Sequence, residues 1–395
     1  MSTRSVDRRM FLEKLGIGSV GAMMAGELAA QAGAAEKPKA ESKWQPVSDR
    51  KIRFGIVGYG VCSMGAAFGL QDHPNVEVVA VSDLVPDRCQ ALSKACRCEK
   101  TYESLEALVK DPKIEAVFVA TDAPSHARHC IDAMSHGKHV MTCVPAVWGS
   151  VEEAEQLVQA VQKTGLKYMM AETSSFHDDC YAMRKIYQAG GFGRLVYSEG
   201  EYYHYCPTPI ASFKGWRIGP PPLWYPTHST AYYVGVTGKR FTSVSCCGFR
   251  GSFPAYQPGA NKYNNPFTDE IALFQTSEGG SSRMLMCVGI NAKGGETGRV
   301  FGEKGWMEGM RYQGTMKPLP DLRRPPLPPG VSAGGHGGSH GNLGHEFVSA
   351  ILENRAPMVD LYESLAMTVP GIIAHQSALK DGETLKVPQF DRAKG

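Results

Sequence analysis

The segment Lys51–Asp83, KIRFGIVGYGVCSMGAAFGLQDHPNVEVVAVSD, limits the possible folds of this chain more than any other. It opens on an apolar run, Ile52 to Val57, rich in the β-branched residues that suit a buried strand. Gly58-Tyr59-Gly60 ends that run, and the small-residue segment Val61 to Leu70 reads as a helix. A second apolar run, Val76 to Val81, delivers an acid, Asp83. Strand, glycine turn, helix, strand and acid is the order of a dinucleotide-binding unit. Gly58 permits the tight turn. Gly60 lets the backbone approach a pyrophosphate at the helix N-terminus, where free N–H groups and the helix dipole favour negative charge. Tyr59, Val61 and Cys62 are then cofactor-lining positions, and Ser63 takes the third small position of the fingerprint. Asp83 follows Gly58 by 25 residues, near the roughly 20 expected of a carboxylate on the ribose hydroxyls. It favours NAD over NADP because it would repel a 2′-phosphate; Arg88 nearby weakens that preference.

A chain of 395 residues suggests about two domains, and 43% hydrophobic content supplies large cores, which excludes a disordered protein. The net charge of +3 comes without a basic block, so nothing points to nucleic acid. Arg8-Arg9 and Met10-Phe11-Leu12 precede an apolar, small-residue run from Leu15 to Ala30. Residues 1–35 therefore resemble a twin-arginine export signal, with cleavage near Ala30-Gln31-Ala32 or Ala32-Gly33-Ala34. Glu27 and the many small residues make the run a poor membrane span, so no stable membrane insertion is expected. Residues 36–50 read as a polar linker. The 11 cysteines are odd in number and irregular, which argues against a disulfide scaffold. Cys96-Arg97-Cys98 and Cys246-Cys247 have the wrong spacing for zinc.

From Pro86 to Ala171 strands and helices alternate. Helices are expected over Pro86–Ala95 and Glu103–Lys110, strands over Ala116–Ala120, Lys138–Cys143 and Tyr168–Ala171, and a capped helix from Ser150, whose partner is Glu153. This is an α/β Rossmann domain, a doubly wound parallel sheet, over residues 51–172. An α+β domain with a large, mostly antiparallel sheet follows over 173–340, with a helix at Asp179–Gln188 and strands at Leu195–Tyr203, Phe241–Gly248, Glu270–Thr276 and Arg283–Val288. Pro318–Gly338 reads as an extended loop. Residues 341–395 carry helices from Leu343 and over Thr368–Leu379, with Pro370 near the start of the second, packing back on the core.

The motifs GIVGYG, VSD, VFVATDAPSH and GKHVMTCVP, with the two-domain order, resemble the glucose–fructose oxidoreductase/inositol dehydrogenase/MocA family along the whole chain after the signal. The resemblance implies a cofactor site that also includes Thr121, Ala123 and His126, the strand end Cys143-Val144-Pro145, and Glu172. Most of that family ends its GKHV strand in Glu-Lys-Pro, where the lysine shuttles a proton. Val144 stands there and cannot. The later Asp-x-Gly-x-His pattern keeps only its histidine, His228.

These departures resemble the NAD-retaining α-N-acetylgalactosaminidase branch, which shares Val144-Pro145-Ala146, Met169 to Glu172, Gly200 to His204, Pro226 to His228 and His336 to Gly338. That branch oxidises a sugar hydroxyl with bound NAD, eliminates the aglycone, adds water and returns the hydride. Its tyrosine after the Met-Met-x-Glu segment falls at Phe176, so either the base comes from elsewhere or the substrate differs. A periplasm holds no maintained NAD pool, which favours a cycle that returns its hydride over net oxidation. His228 is the leading catalytic candidate, able to act as acid or base near neutrality, with Tyr203, His204 and Tyr225 beside it. Trp216 and Arg217 are expected to stack on and hydrogen-bond a sugar, with His336 also in the pocket. His336, His340 and His345 lack the flanking ligands of a metal site, and none is expected. The alternatives are a conventional sugar or polyol dehydrogenase, a sugar–sugar oxidoreductase, or an inactive sugar-binding protein. Family analogy alone suggests a homo-oligomer.

Overall fold

A computed structural model describes residues 43–292 and 294–392; the export signal expected over 1–35 and most of the linker lie outside them. The first half places β1 (Ile52–Val57), α1 (Met64–Ala67), β2 (Val76–Ser82), α2 (Pro86–Cys96), β3 (Thr101–Tyr102), α3 (Leu105–Leu108), β4 (Ala116–Val119), α4 (His126–Ser135), β5 (His139–Thr142), α5 (Val151–Thr164) and β6 (Tyr168–Met170) in order. The six strands form one parallel sheet in the order β3-β2-β1-β4-β5-β6. Strand order reverses between β1 and β4, the switch point at which open α/β sheets bind ligands. The apolar runs become strands because both faces of the sheet are covered: all four residues of β4 and nearly all of β1 are buried. Ser150 caps α5, its Oγ accepting from the Glu153 N–H at 3.1 Å.

The helix expected over Val61–Leu70 is mostly absent. Ser63 (φ 55°) and Gly69 (φ 67°) are both left-handed, which confines α1 to four residues and leaves a separate turn at Leu70–Asp72. Ser63 also does not serve as the third glycine of the fingerprint. That close approach falls to Gly65, where a Cβ would stand 2.3 Å from the Gly58 carbonyl oxygen.

The second half adds α6 (Asp178–Gln188), β7 (Leu195–Tyr203), α7 (Thr227–Thr230), α8 (Val234–Thr237), β8 (Phe241–Phe249), β9 (Asp269–Thr276), β10 (Ser281–Cys287), β11 (Gly295–Gly302), β12 (Gly305–Glu308), β13 (Arg311–Gly314), α9 (His340–Leu352), α10 (Leu361–Ala378) and β14 (Leu385–Lys386). The eight strands run β13-β12-β11-β7-β10-β9-β8-β14, antiparallel except for the β7–β10 pair. β9 alternates, with Ala272 and Phe274 inward and Ile271 and Leu273 on the open face. Strands β11 to β13 escape a propensity reading because they are short or broken by glycine, which stands at both ends and inside β11, at the start of β12 and at the end of β13. At Gly298 the reason is close packing: a Cβ there would lie 2.1 Å from the Tyr232 ring.

Pro370 does not begin a helix. It lies inside α10, which starts at Leu361 with the Asp360 carboxylate accepting from the Glu363 N–H at 3.2 Å. Fifteen of the 18 residues of α10 are buried, as an apolar helix with no polar face requires. Helix α9 completes the core of the first sheet, where Leu343, Phe347 and Val348 join Ile52, Phe54 and Phe118 and the Phe54 and Phe347 rings meet edge-on at 6.0 Å. No described helix is long and apolar enough to cross a membrane.

Candidate active site

Two adjoining cavities occupy the carboxyl ends of the first sheet. The first, of about 340 Å3, is lined by Gly58, Tyr59, Gly60, Val61 and Cys62 of the turn after β1, by Asp83 and Arg88 after β2, and by Thr121 after β4. The glycines suit it to a dinucleotide. Gly58, at φ 95°, packs so closely that a Cβ would lie 2.3 Å from the Ala120 carbonyl oxygen, whereas a Cβ on Gly60 would meet nothing within 4 Å. One turn glycine is thus pressed onto the sheet and the other faces open space. Asp83 Oδ2 accepts from the N–H groups of Tyr59 (2.8 Å) and Gly60 (3.3 Å), and Oδ1 accepts from that of Val85 (2.9 Å), so the acid is fixed beside the turn.

The second cavity, of about 230 Å3, shares Cys62, Thr121, Trp216 and Arg217 with the first. Ala123, His126, Cys143, Val144, His204, Tyr225, His228 and His336 also line it. The His126 ring bridges the carbonyls of Pro145 (2.8 Å) and Thr121 (3.2 Å), tying the loop after β4 to the end of β5. Pro145 itself stays out of both walls, as does Ser63.

Tyr203 also misses the cavity. Alternation along β7 sends it outward with Glu199 and Glu201, which pair with Arg283 at 3.1 and 2.5 Å. Tyr202 takes the inward position, its ring 4.7 Å from that of His228 and 5.6 Å from that of His204. The charged Glu199 and Glu201 in the sequence already carried this parity.

His228 sits on α7, almost fully buried at 2% exposure. Its Nδ1 lies 2.8 Å from Glu172 Oε1, 3.3 Å from Thr173 Oγ1 and 3.7 Å from Glu296 Oε2. Glu172 therefore contacts His228 rather than the cofactor crevice, and it also caps the turn after β6 by accepting from the Ser174 N–H at 2.9 Å. Glu296 comes from the glycine-rich start of β11. Its carboxylate accepts from Ser174 Oγ (2.7 Å) and meets His336 Nδ1 (3.1 Å) and His177 Nε2 (3.3 Å).

Burial alone would push His228 down, but the two carboxylates outweigh it and hold the imidazole up to about 9. Burial opposes ionisation of Glu296, yet the neighbouring His228 charge and the His336 and His177 contacts hold it well below the usual carboxylate range. Burial lowers His204, with the charge of Arg217 adding to the effect. One face of the cavity thus holds a cationic and a neutral histidine near pH 7.

Ligand atoms of Glu172, His228 and Glu296 lie within 4.8 Å of one another, the one such grouping among the described residues that a metal ion could use. Two ligands of tetrahedral zinc would stand about 3.4 Å apart, given bonds near 2.1 Å. The 2.8 Å separation of Glu172 and His228 is that of a shared proton.

Residues 52–172 match the family described as "Oxidoreductase family, NAD-binding Rossmann fold". The chain is 25% identical to a glycosyl hydrolase family 109 protein of Solibacter usitatus (strain Ellin6076), over 98% of this chain and 97% of that one. It is also 25% identical to glycosyl hydrolase family 109 protein 2 of Akkermansia muciniphila, over 98% and 96%. Its fold is that of levoglucosan dehydrogenase in complex with NADH and levoglucosan (TM-score 0.69, 17% identity, 86% of this chain and 100% of that one) and of scyllo-inositol dehydrogenase from Lactobacillus casei (TM-score 0.68, 16%, 86% and 99%). Residues 52–172 thus carry the NAD-binding Rossmann domain of the Gfo/Idh/MocA oxidoreductase family, and over its whole length the chain is similar to the glycosyl hydrolase family 109 proteins.

Proposed function

We propose that this enzyme cleaves a glycoside by oxidation, elimination, water addition and re-reduction, using NAD that stays bound. The observation that carries the reading is the shared wall: the cavity that holds His228 opens directly on the dinucleotide crevice through Cys62, Thr121, Trp216 and Arg217. Bound NAD supplies one thing, a carbon that accepts hydride from the sugar and gives it back. The chain supplies the rest. Cationic His228, its Nδ1 committed to Glu172, offers Nε2 to a sugar oxygen. There it stabilises the charge that develops as the neighbouring C–H is deprotonated, and it can protonate the departing oxygen. His204, neutral and across Tyr202 from it, takes the hydroxyl proton as the hydride leaves, releases it to solvent, and then takes the neighbouring C–H proton, two tasks that Val144 and Phe176 cannot perform. Environments that push two like groups apart in this way divide acid from base.

The names of the full-length relatives support glycoside cleavage, and the Arg8-Arg9 segment supports export to the periplasm, where a self-contained redox cycle needs no cofactor pool. Exposed Val196, Phe249, Ile271 and Leu273 on the eight-stranded sheet support self-association. The test is to incubate purified protein with nitrophenyl glycosides while following nitrophenol and the NADH absorbance at once. Nitrophenol release without net NADH is expected, and borohydride pretreatment should change the rate. NADH accumulating with free sugar would instead make the protein a dehydrogenase.

A further inference from the structure

We infer that the substrate is an anionic sugar, a glycoside carrying a carboxylate of the uronic-acid kind, and that Arg217 is its anchor. The inference rests on the reading of the second cavity as the sugar site. The two cavities differ in charge. The dinucleotide crevice contains the acids Asp83, Glu106 and Asp122, whereas no aspartate or glutamate lines the second cavity, and its ionisable basic groups are Arg217 and four histidines. Glu172 and Glu296 stand outside that wall and are already engaged by His228, His336 and His177. Arg217 stands where the two cavities meet, and among the described residues its guanidinium forms no ion pair, although Asp83, Glu106 and Asp122 line the crevice it also borders.

The guanidinium is nonetheless held in place. It lies over the Trp216 ring at 4.1 Å, and Trp216 packs edge-on against Trp148 at 5.3 Å. The Tyr263 hydroxyl donates to the Trp216 carbonyl at 2.8 Å, and the Arg217 N–H donates to Ser212 Oγ at 3.0 Å. Its charge is felt by Tyr202, His204 and Tyr225, all in the sugar cavity. A half-buried cation held on an aromatic wall without an ion-pair partner is pre-oriented to take the opposite charge from a ligand. A planar carboxylate matches the guanidinium fork with two parallel hydrogen bonds. Arg217 also borders the crevice, so the same chemistry could serve a cofactor phosphate, and the experiment separates the two.

The protein with its bound NAD is titrated with glucuronate and galacturonate, and with glucose and galactose, following tryptophan fluorescence and calorimetric heat. The NAD content of each sample is measured after denaturation. Uronates should bind about ten- to a hundredfold tighter than the neutral sugars, with an advantage that shrinks as salt rises. Arg217→Met should abolish that advantage at unchanged NAD content, and Arg217→Lys should keep part of it; a thermal melt shows that each variant is folded. Equal binding of charged and neutral sugars, or no binding of either, overturns the inference. So does an Arg217→Met protein that loses NAD while keeping its preference, since that outcome assigns the guanidinium to the cofactor. Because binding needs no turnover, uronate binding without cleavage would sink the glycosidase reading alone, and cleavage of neutral glycosides without uronate preference would sink this inference alone.

Discussion

Replacing Glu172 by glutamine tests the acid role of His228 most directly. The change keeps the shape of the side chain and its acceptor for the Ser174 N–H, while removing the charge 2.8 Å from His228 Nδ1. In the native protein His228 is held from its ordinary 6.5 up to about 9, which corresponds to about 3 kcal/mol favouring the imidazolium. Glu172 is the stronger of the two carboxylates raising it, and burial acts the other way. Without Glu172 the imidazole has only Glu296 at 3.7 Å against burial, so its pKa should fall toward or below its ordinary value. If His228 works as the acid, native kcat/KM should decline above about pH 9, and in Glu172→Gln that decline should move to around pH 7 or lower. The native fold should also lose stability as pH rises from 6.5 toward 9, because the raised group contributes fully only below its unfolded pKa. A 15N histidine titration and a pH–rate profile of both proteins measure this. An alkaline limb that stays put in the variant refutes the reasoning.

Three further outcomes are expected. Gly58→Ala puts a Cβ 2.3 Å from the Ala120 carbonyl oxygen at a φ of 95°, so the purified variant should carry little NAD and melt several degrees lower, read by cofactor absorbance and a thermal scan. Tyr202→Phe should weaken kcat/KM for the sugar by about tenfold, the worth of one hydrogen bond, while Tyr203→Phe stays within about twofold, as steady-state kinetics would show since only Tyr202 lines the cavity. A fragment of residues 51–172 should bind no NAD and should bind a hydrophobic dye, because α9 is missing from its core; nucleotide binding by that fragment would contradict the packing described above.

The first half of the fold was legible because its signals are local. Buried strands read as apolar runs, the Ser150 cap reads as a motif, and the acid after β2 marks the cofactor. What escaped depends on contacts distant in sequence. Gly65 looks like any small helix residue until the Gly58 carbonyl is seen against it. Glu296 lies between glycines in a strand that propensity cannot detect, so nothing in its neighbourhood announces a partner for His228. The choice between Tyr202 and Tyr203 turns on strand parity, which the acids at 199 and 201 settle once they are known to pair outward with Arg283. The distribution of charge between the two cavities is a property of the assembled walls alone.

The aromatic contact between Phe54 and Phe347 joins residues almost three hundred positions apart. A ribosome making this chain releases the nucleotide fingerprint well before the helix that backs it. Until then the fingerprint lacks the apolar support on which its turn rests. Any stretch of the chain that stops short of Phe347 therefore leaves the strand ahead of the glycine turn with one side of its core uncovered.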